Sequence, residues 1–305
     1  DVRSKAAMMS TTKPLHQVAP ASHGSVPARE LGPALLVAVG LVLASAYGFW
    51  AADPYPGLDR ATTTAARAQD VCSLLVAGLL VVSVVRRDSP RSHLVRLGLM
   101  GYVAYSYFIY VEGMAMTRAF LLYVVLVAVS VGALLDGVVR LEPAAWTRSV
   151  PHRLERATGW FLVVVAGLFA TLWLTMLLPF ALGGPRPDSE GPGGAPFPVF
   201  VLDLAVVLPC VLLVGLLLLD GHPIGRPLAV VVLVKIITLF TTLWAGTLAG
   251  LLRHDGVHLG ADAVPSLLML AGCCWLLARW ASAVDADGGP GRRPTFWPAV
   301  REPAD

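Results

Sequence analysis

AVVVLVKIITLFTTLW, residues 229–244, decides the fold class and poses the functional question. The stretch is apolar enough to lie in a bilayer, yet Lys235 stands in it with uncharged residues on both flanks. A lysine at mid-span costs about 2.5–3.5 kcal/mol on insertion scales, so such residues face a bundle interior, a partner or a water-filled cavity. Lys235 is tolerable in lipid only if the packed helices give its charge a polar neighbour or a wet pocket. The plain alternative is a lysine that snorkels along the helix surface or makes a structural hydrogen bond.

Outward from this stretch, the chain keeps the same character. Its 305 residues are 56% hydrophobic and 14% charged, with mean hydropathy +0.70. Soluble domains carry about a quarter charged residues, so the composition belongs to the membrane class. The net charge of +3 is small and dispersed, and no basic run suggests a nucleic-acid partner. Heavy use of Ala, Gly, Val, Leu, Pro and Arg points to a bacterial source.

A helix needs about 20 apolar residues to cross about 30 Å of hydrocarbon. Eight stretches meet that length or nearly so: 31–52, 70–86, 94–111, 117–137, 158–181, 198–219, 227–252 and 264–282. None shows the alternation of a barrel strand. The expected fold is therefore all-α, a polytopic transmembrane bundle of about eight spans over residues 31–282. Residues 1–30 and 283–305 read as flexible cytoplasmic tails. The first 30 lack the apolar core of a signal peptide, and Met8 or Met9 would suit a natural start.

Charge placement checks the count. With the amino terminus inside, 17 of the 23 Lys and Arg fall in inner segments and five in outer ones, with Lys235 left over. The split alternates along the chain and predicts both termini in the cytoplasm, in a bacterial inner membrane. GGPRPDSEGPGGAPF (183–197) is too rich in Gly and Pro to pack as a helix. It reads as an outer loop dividing the chain into five spans and three. No internal repeat stands out.

Several further polar residues sit where lipid should be. Asp203, in PVFVLDLAVVLPCVLL, lies near the outer end of the sixth span, and Pro209 should kink that helix and free a carbonyl. Helical rise puts Asp203 about 10 Å from the level of Lys235, so tilt, water or a third residue must join them. GLMGYVAYSYFIYVEG (98–113) aligns Tyr102, Tyr105 and Glu112 toward one side, a candidate cavity wall. The alternative is an interfacial aromatic belt, which suits Tyr110 better than the deeper Tyr102 and Tyr105. Asp70 opens the second span, and Arg118 opens the fourth. Thr238, Thr241 and Thr242 line the outer half of the seventh span, where most such hydroxyls bond their own helix.

Metal and cofactor chemistry finds little support. In RHDGVHLGAD (253–262), His254 and His258 would need a helix to share a metal, and Gly256 and Gly260 make a loop. The seven histidines read as tail and loop residues, which leaves no haem pair. Cys72, Cys210, Cys273 and Cys274 all lie in apolar segments and read as small buried hydrophobes, neither disulfides nor a zinc site. A retinal Schiff base at Lys235 is disfavoured by eight spans and by the lack of a carboxylate on its own helix. No phosphate-binding, dinucleotide, nucleophile-elbow or zincin motif is present, so no cofactor is implied.

AYSYFIYVEG and FLLYVVLVAVS (104–130), FPVFVLDLAVVLPCVLL (197–213) and VLVKIITLF (232–240) together resemble a group of bacterial multi-pass membrane proteins. The resemblance spans roughly residues 30–240. It implies a helical bundle and carries no catalytic assignment, because no activity is attached to that group. Three functions are then compatible: a non-catalytic membrane subunit or assembly factor, a transporter or channel using Asp203 and Lys235, and an intramembrane enzyme acting on a lipid or isoprenoid-like substrate in an outer-leaflet cavity. Membrane lipid is the expected environment, and a small-molecule or lipid substrate follows from the last two. The sequence names no protein partner.

Overall fold

The computed structural model describes residues 31–86, 89–141, 150–185, 197–260 and 263–285. The expected tails, most of loop 183–197 and Asp262 lie outside these residues, apart from the last turn of the final helix. All regular structure among the described residues is helical: α1 (Leu31–Trp50), α2 (Arg60–Val85), α3 (Pro90–Gly113), α4 (Phe120–Val139), α5 (His152–Ala181), α6 (Phe197–Leu202), a π-helical turn (Asp203–Val207), α7 (Leu208–Leu219), α8 (Gly225–Leu252) and α9 (Ala263–Asp285). Counting α6, the π turn and α7 as one, eight of these stretches are long and apolar enough to cross a membrane. Many large apolar side chains, such as Leu75, Leu121 and Leu268, point outward, as lipid contact requires.

Some helices outrun their apolar cores. α2 starts at Arg60, ten residues before the expected span, because Asp59 caps it by accepting from the Thr62 N–H at 2.7 Å. Asp70 is therefore well inside α2, not at its entrance, and is 3% exposed. α3 starts at Pro90, a residue suited to a first turn, so His93 is helical, not part of a loop. α5 runs 30 residues from His152.

Packing groups the spans as four and four, not five and three. α1 to α4 form one ring, with α1 against α2 and α4 and with α3 against α4 and α2. α5, α7, α8 and α9 form a second ring in the same cyclic order. α5 thus packs with the helices that follow it in the chain, not with those before it. Loop composition says nothing about which helix faces match, and side-chain packing makes that choice. α8 is shared: Ala229, Leu233 and Ile236 enter the aliphatic core of the second ring, while Val234 enters the first. α3 and α2 pack across the seam onto α8, and α3 also meets α6.

Small residues permit the seam. A Cβ on Gly98 of α3 would lie 2.6 Å from Val234 and 2.8 Å from the Val231 carbonyl oxygen of α8. Gly246 of α8 sits the same way against Ala65 of α2, at 3.1 Å. Close backbone approach of this kind is how helices associate where lipid removes the hydrophobic drive.

Candidate functional site

The break in the sixth span lies beside Pro209. Proline has no N–H and crowds the carbonyl four residues back, so the preceding turn widens to an i→i+5 pattern. The Leu208 N–H bonds the Asp203 carbonyl, which closes that π turn. Asp203 is its first residue, and the turn aims the carboxyl into the seam, where it is 8% exposed.

Three helices meet there. Tyr105 of α3 is 7% exposed, and its hydroxyl faces the Asp203 carboxyl. Trp173 of α5 donates from Nε1 to Asp203 Oδ2 at 2.9 Å. The indole is held edge-on to Phe200, with ring centroids 5.1 Å apart. Lys235 of α8 places its Nζ 4.0 Å from the centre of the Tyr105 ring. Its stem passes Gly101 of α3, whose Cβ would lie 3.6 Å from Lys235 Cγ.

Lys235 and Asp203 form no direct ion pair within 4.0 Å; Tyr105 stands between them. The ring face is the negative side of the aromatic quadrupole and attracts the ammonium, while the hydroxyl serves the carboxyl. The height difference between the two charges is thus bridged by a single residue with two kinds of polar surface. Lys235 is half-buried, with its amine directed at protein.

A hydroxyl column continues along α8 toward the face of loop 253–260. Tyr102 meets Thr242 Oγ1 at 2.9 Å, and Thr242 also donates to the Thr238 carbonyl at 3.0 Å. Cys72 of α2 approaches Thr242 from the other side. Tyr102 and Thr242 are both buried.

A second polar centre surrounds Asp70 in the first ring. Tyr55, from the α1–α2 loop, hydrogen-bonds its carboxyl, and Ser45 Oγ donates to its backbone carbonyl at 3.0 Å. Burial, and then the adjacent Asp70, push the Tyr55 hydroxyl far above its ordinary value, so it remains a phenol. Tyr107, Tyr110 and Tyr123 close over the site with ring centroids 5.3–5.6 Å apart. The centre is packed shut: a Cβ on Gly48 would collide with the Asp70 carboxyl and the Tyr55 hydroxyl.

The other expected residues fall elsewhere. Glu112, next to last in α3, and Arg118, in the turn before α4, are both exposed, and Glu112 does not join the Tyr105 cluster. Tyr110 is 6% exposed inside the tyrosine cluster instead of lying in an interfacial belt. Residues 253–260 form a turn and loop, in which Asp255 is taken by Arg60 and Thr64. Cys72 and Cys273 are buried, whereas Cys210 and Cys274 are exposed on the outside of the bundle. Trp173 escaped the sequence reading because a mid-span tryptophan looks like any lipid-facing aromatic. Glu155 precedes the expected span 158–181, so nothing in the sequence marks it as buried. It is 3% exposed and pairs with Arg226 at 2.5 Å, with His152 at 3.4 Å.

The fold and site thus define an integral membrane helix bundle with an enclosed charged cluster at the junction of two four-span rings. No family model, curated protein or solved structure matches the chain.

Proposed function

We propose that the protein is a carrier of a bacterial cytoplasmic membrane, with both termini inside, that moves protons coupled to a small polar solute. The observation that carries this reading is the Lys235–Tyr105–Asp203 cluster. It joins one ring to the other at a π-broken span. Carriers place ionisable residues and interrupted helices at the interface of moving halves, because relative motion there exposes the site to one side and then the other. The alternating Lys/Arg distribution supports the orientation. The enzyme reading loses a wall of its outer cavity, since Glu112 stands apart from Tyr105. The reading as a non-catalytic subunit keeps one observation in its favour: the cluster's polar groups find partners within the chain.

The test is charge displacement after a pH jump, recorded on reconstituted protein adsorbed to a solid-supported membrane. Wild-type protein should give a transient current. Asp203→Asn and Lys235→Met should lose most of it while still inserting. Equal currents in all three would remove the reading.

A further inference from the structure

The hydroxyl column that leads to Lys235 ends beneath a clamp. Arg60 Nε lies 2.5 Å from Asp255 Oδ1, and Thr64 Oγ1 donates to Asp255 Oδ2 at 2.7 Å. The Asp255 side chain is fully buried, although Arg60 above it is 81% exposed. Arg60 and Thr64 belong to the first turns of α2, and Asp255 to the loop that follows α8. The clamp therefore fastens the two helices whose contact forms this part of the seam.

Immediately below it, Ala65 of α2 rests on Gly246 of α8. One turn deeper along α8, Cys72 and Tyr102 meet at Thr242. The face then passes Thr238 to Lys235, because residues three, four and seven apart share one side of a helix. The route from loop to charged cluster thus runs along the α2–α8 contact, and the clamp closes its mouth.

The loop is shaped for this contact at some cost. His254 takes φ 54°, a left-handed conformation that a non-glycine residue enters only when its surroundings compensate. Gly256 follows at φ 78°. The Asp255 N–H bonds the Gly250 carbonyl at 3.0 Å, which turns the chain back over the helix end. Val257 fills the space a side chain on Gly250 would need.

We propose that Arg60, Thr64 and Asp255 form a latch that holds the path to Lys235 shut on the 253–260 face, and that its release opens α2 from α8. This rests on the carrier reading for its purpose, but not for its detection. A charged clamp at the rim suits a reversible gate, because water can solvate both partners once they part. Deep in the seam the same charges would have no such second state.

Cys72 is a native reporter, buried below the latch. In protein keeping only Cys72, with Cys210, Cys273 and Cys274 changed to Ser, a charged methanethiosulfonate is added to one face of oriented vesicles at a time. Asp255→Asn and Arg60→Gln should each speed Cys72 modification from the 253–260 face about tenfold, the effect of a modest shift in a closed–open equilibrium. Unchanged rates in both variants overturn the latch. A parallel protein keeping only Cys273, buried in the second ring, should stay unreactive. Equal acceleration there means general loosening and also overturns the proposal. Loss of the carrier reading would appear instead as a pH-jump current indifferent to Lys235→Met, with Cys72 labelling still responding to Asp255→Asn.

Discussion

The two rings bury different chemistry. The interior of the first adds aromatic and polar groups to its aliphatic core: Tyr107, Tyr110 and Tyr123 close over the centre formed by Asp70, Tyr55 and Ser45. The second is aliphatic, built on Leu162, Val211, Val214, Leu218, Leu233, Ile236 and Leu276. Its polar contacts include Trp280 to Thr158 at 3.0 Å, Trp173 to Asp203 at 2.9 Å, and the Glu155–Arg226 pair near the start of α5. Lipid tails are as apolar as leucine, so aliphatic packing alone gives little drive to associate. The second ring combines close aliphatic fit with the Glu155–Arg226 anchor, the first a stack of tyrosines with the hydrogen bonds of Tyr55 and Ser45 to Asp70. Lys235 lies on a helix that serves both, and its charge turns toward Tyr105 of the first ring.

The contrast can be broken at its anchors. The largest effect should come from Arg226→Leu, which strips the guanidinium from a carboxylate that is 3% exposed. Breaking a buried pair costs about 3–5 kcal/mol, so the midpoint of unfolding in detergent should drop sharply. A loss below about 1 kcal/mol would mean that the second ring does not depend on this anchor. Next is Gly48→Ala in the first ring, where the new methyl meets the Asp70 carboxyl and Tyr55 hydroxyl. Overpacking of this kind costs about 1–3 kcal/mol. The same method should show a clear fall, and none would mean that the Asp70 centre has slack.

Smaller effects sharpen the comparison. Tyr105→Phe keeps the ring under Lys235 and removes only the hydroxyl that faces Asp203. Hydrogen bonds between membrane helices average about 0.6 kcal/mol, so stability should hardly move. The pH-jump current, however, should weaken if the hydroxyl links the two charges, and an unchanged current would take Tyr105 out of the bridge. The smallest change should be Gly167→Ala on α5, where nothing lies within 4 Å of the added carbon. Helix propensity then favours Ala by at most about 1 kcal/mol, and a destabilised variant would place a partner on that face.

The eight spans were legible in the sequence because crossing a bilayer demands long apolar runs, and their count follows from composition. Lys235, Asp203, Tyr102 and Tyr105 stood out for the same reason, as polar atoms where lipid should be. The bridge among them was not legible. Tyr105 and Asp203 are 98 residues apart in sequence, and periodicity on one helix says nothing about which face of another it meets. Helical phase along α3 pointed Tyr105 toward Glu112, but the helix leaves the packed interior before reaching that carboxylate. In sequence Asp255 stands only among loop histidines and glycines, with nothing to name a distant partner. Its real partners are on α2, joined to it only by tertiary packing.

By itself, the sequence determined that the chain is a helical membrane protein, where its spans lie, and which charges need shelter, because bilayer thickness and the cost of burying a charge act on local stretches. The tertiary structure decided the rest: the grouping of four spans with four, the tyrosine between lysine and aspartate, and the clamp above them. Those depend on which helix faces fit closely and exchange hydrogen bonds across the seam, and a one-dimensional pattern does not carry that information.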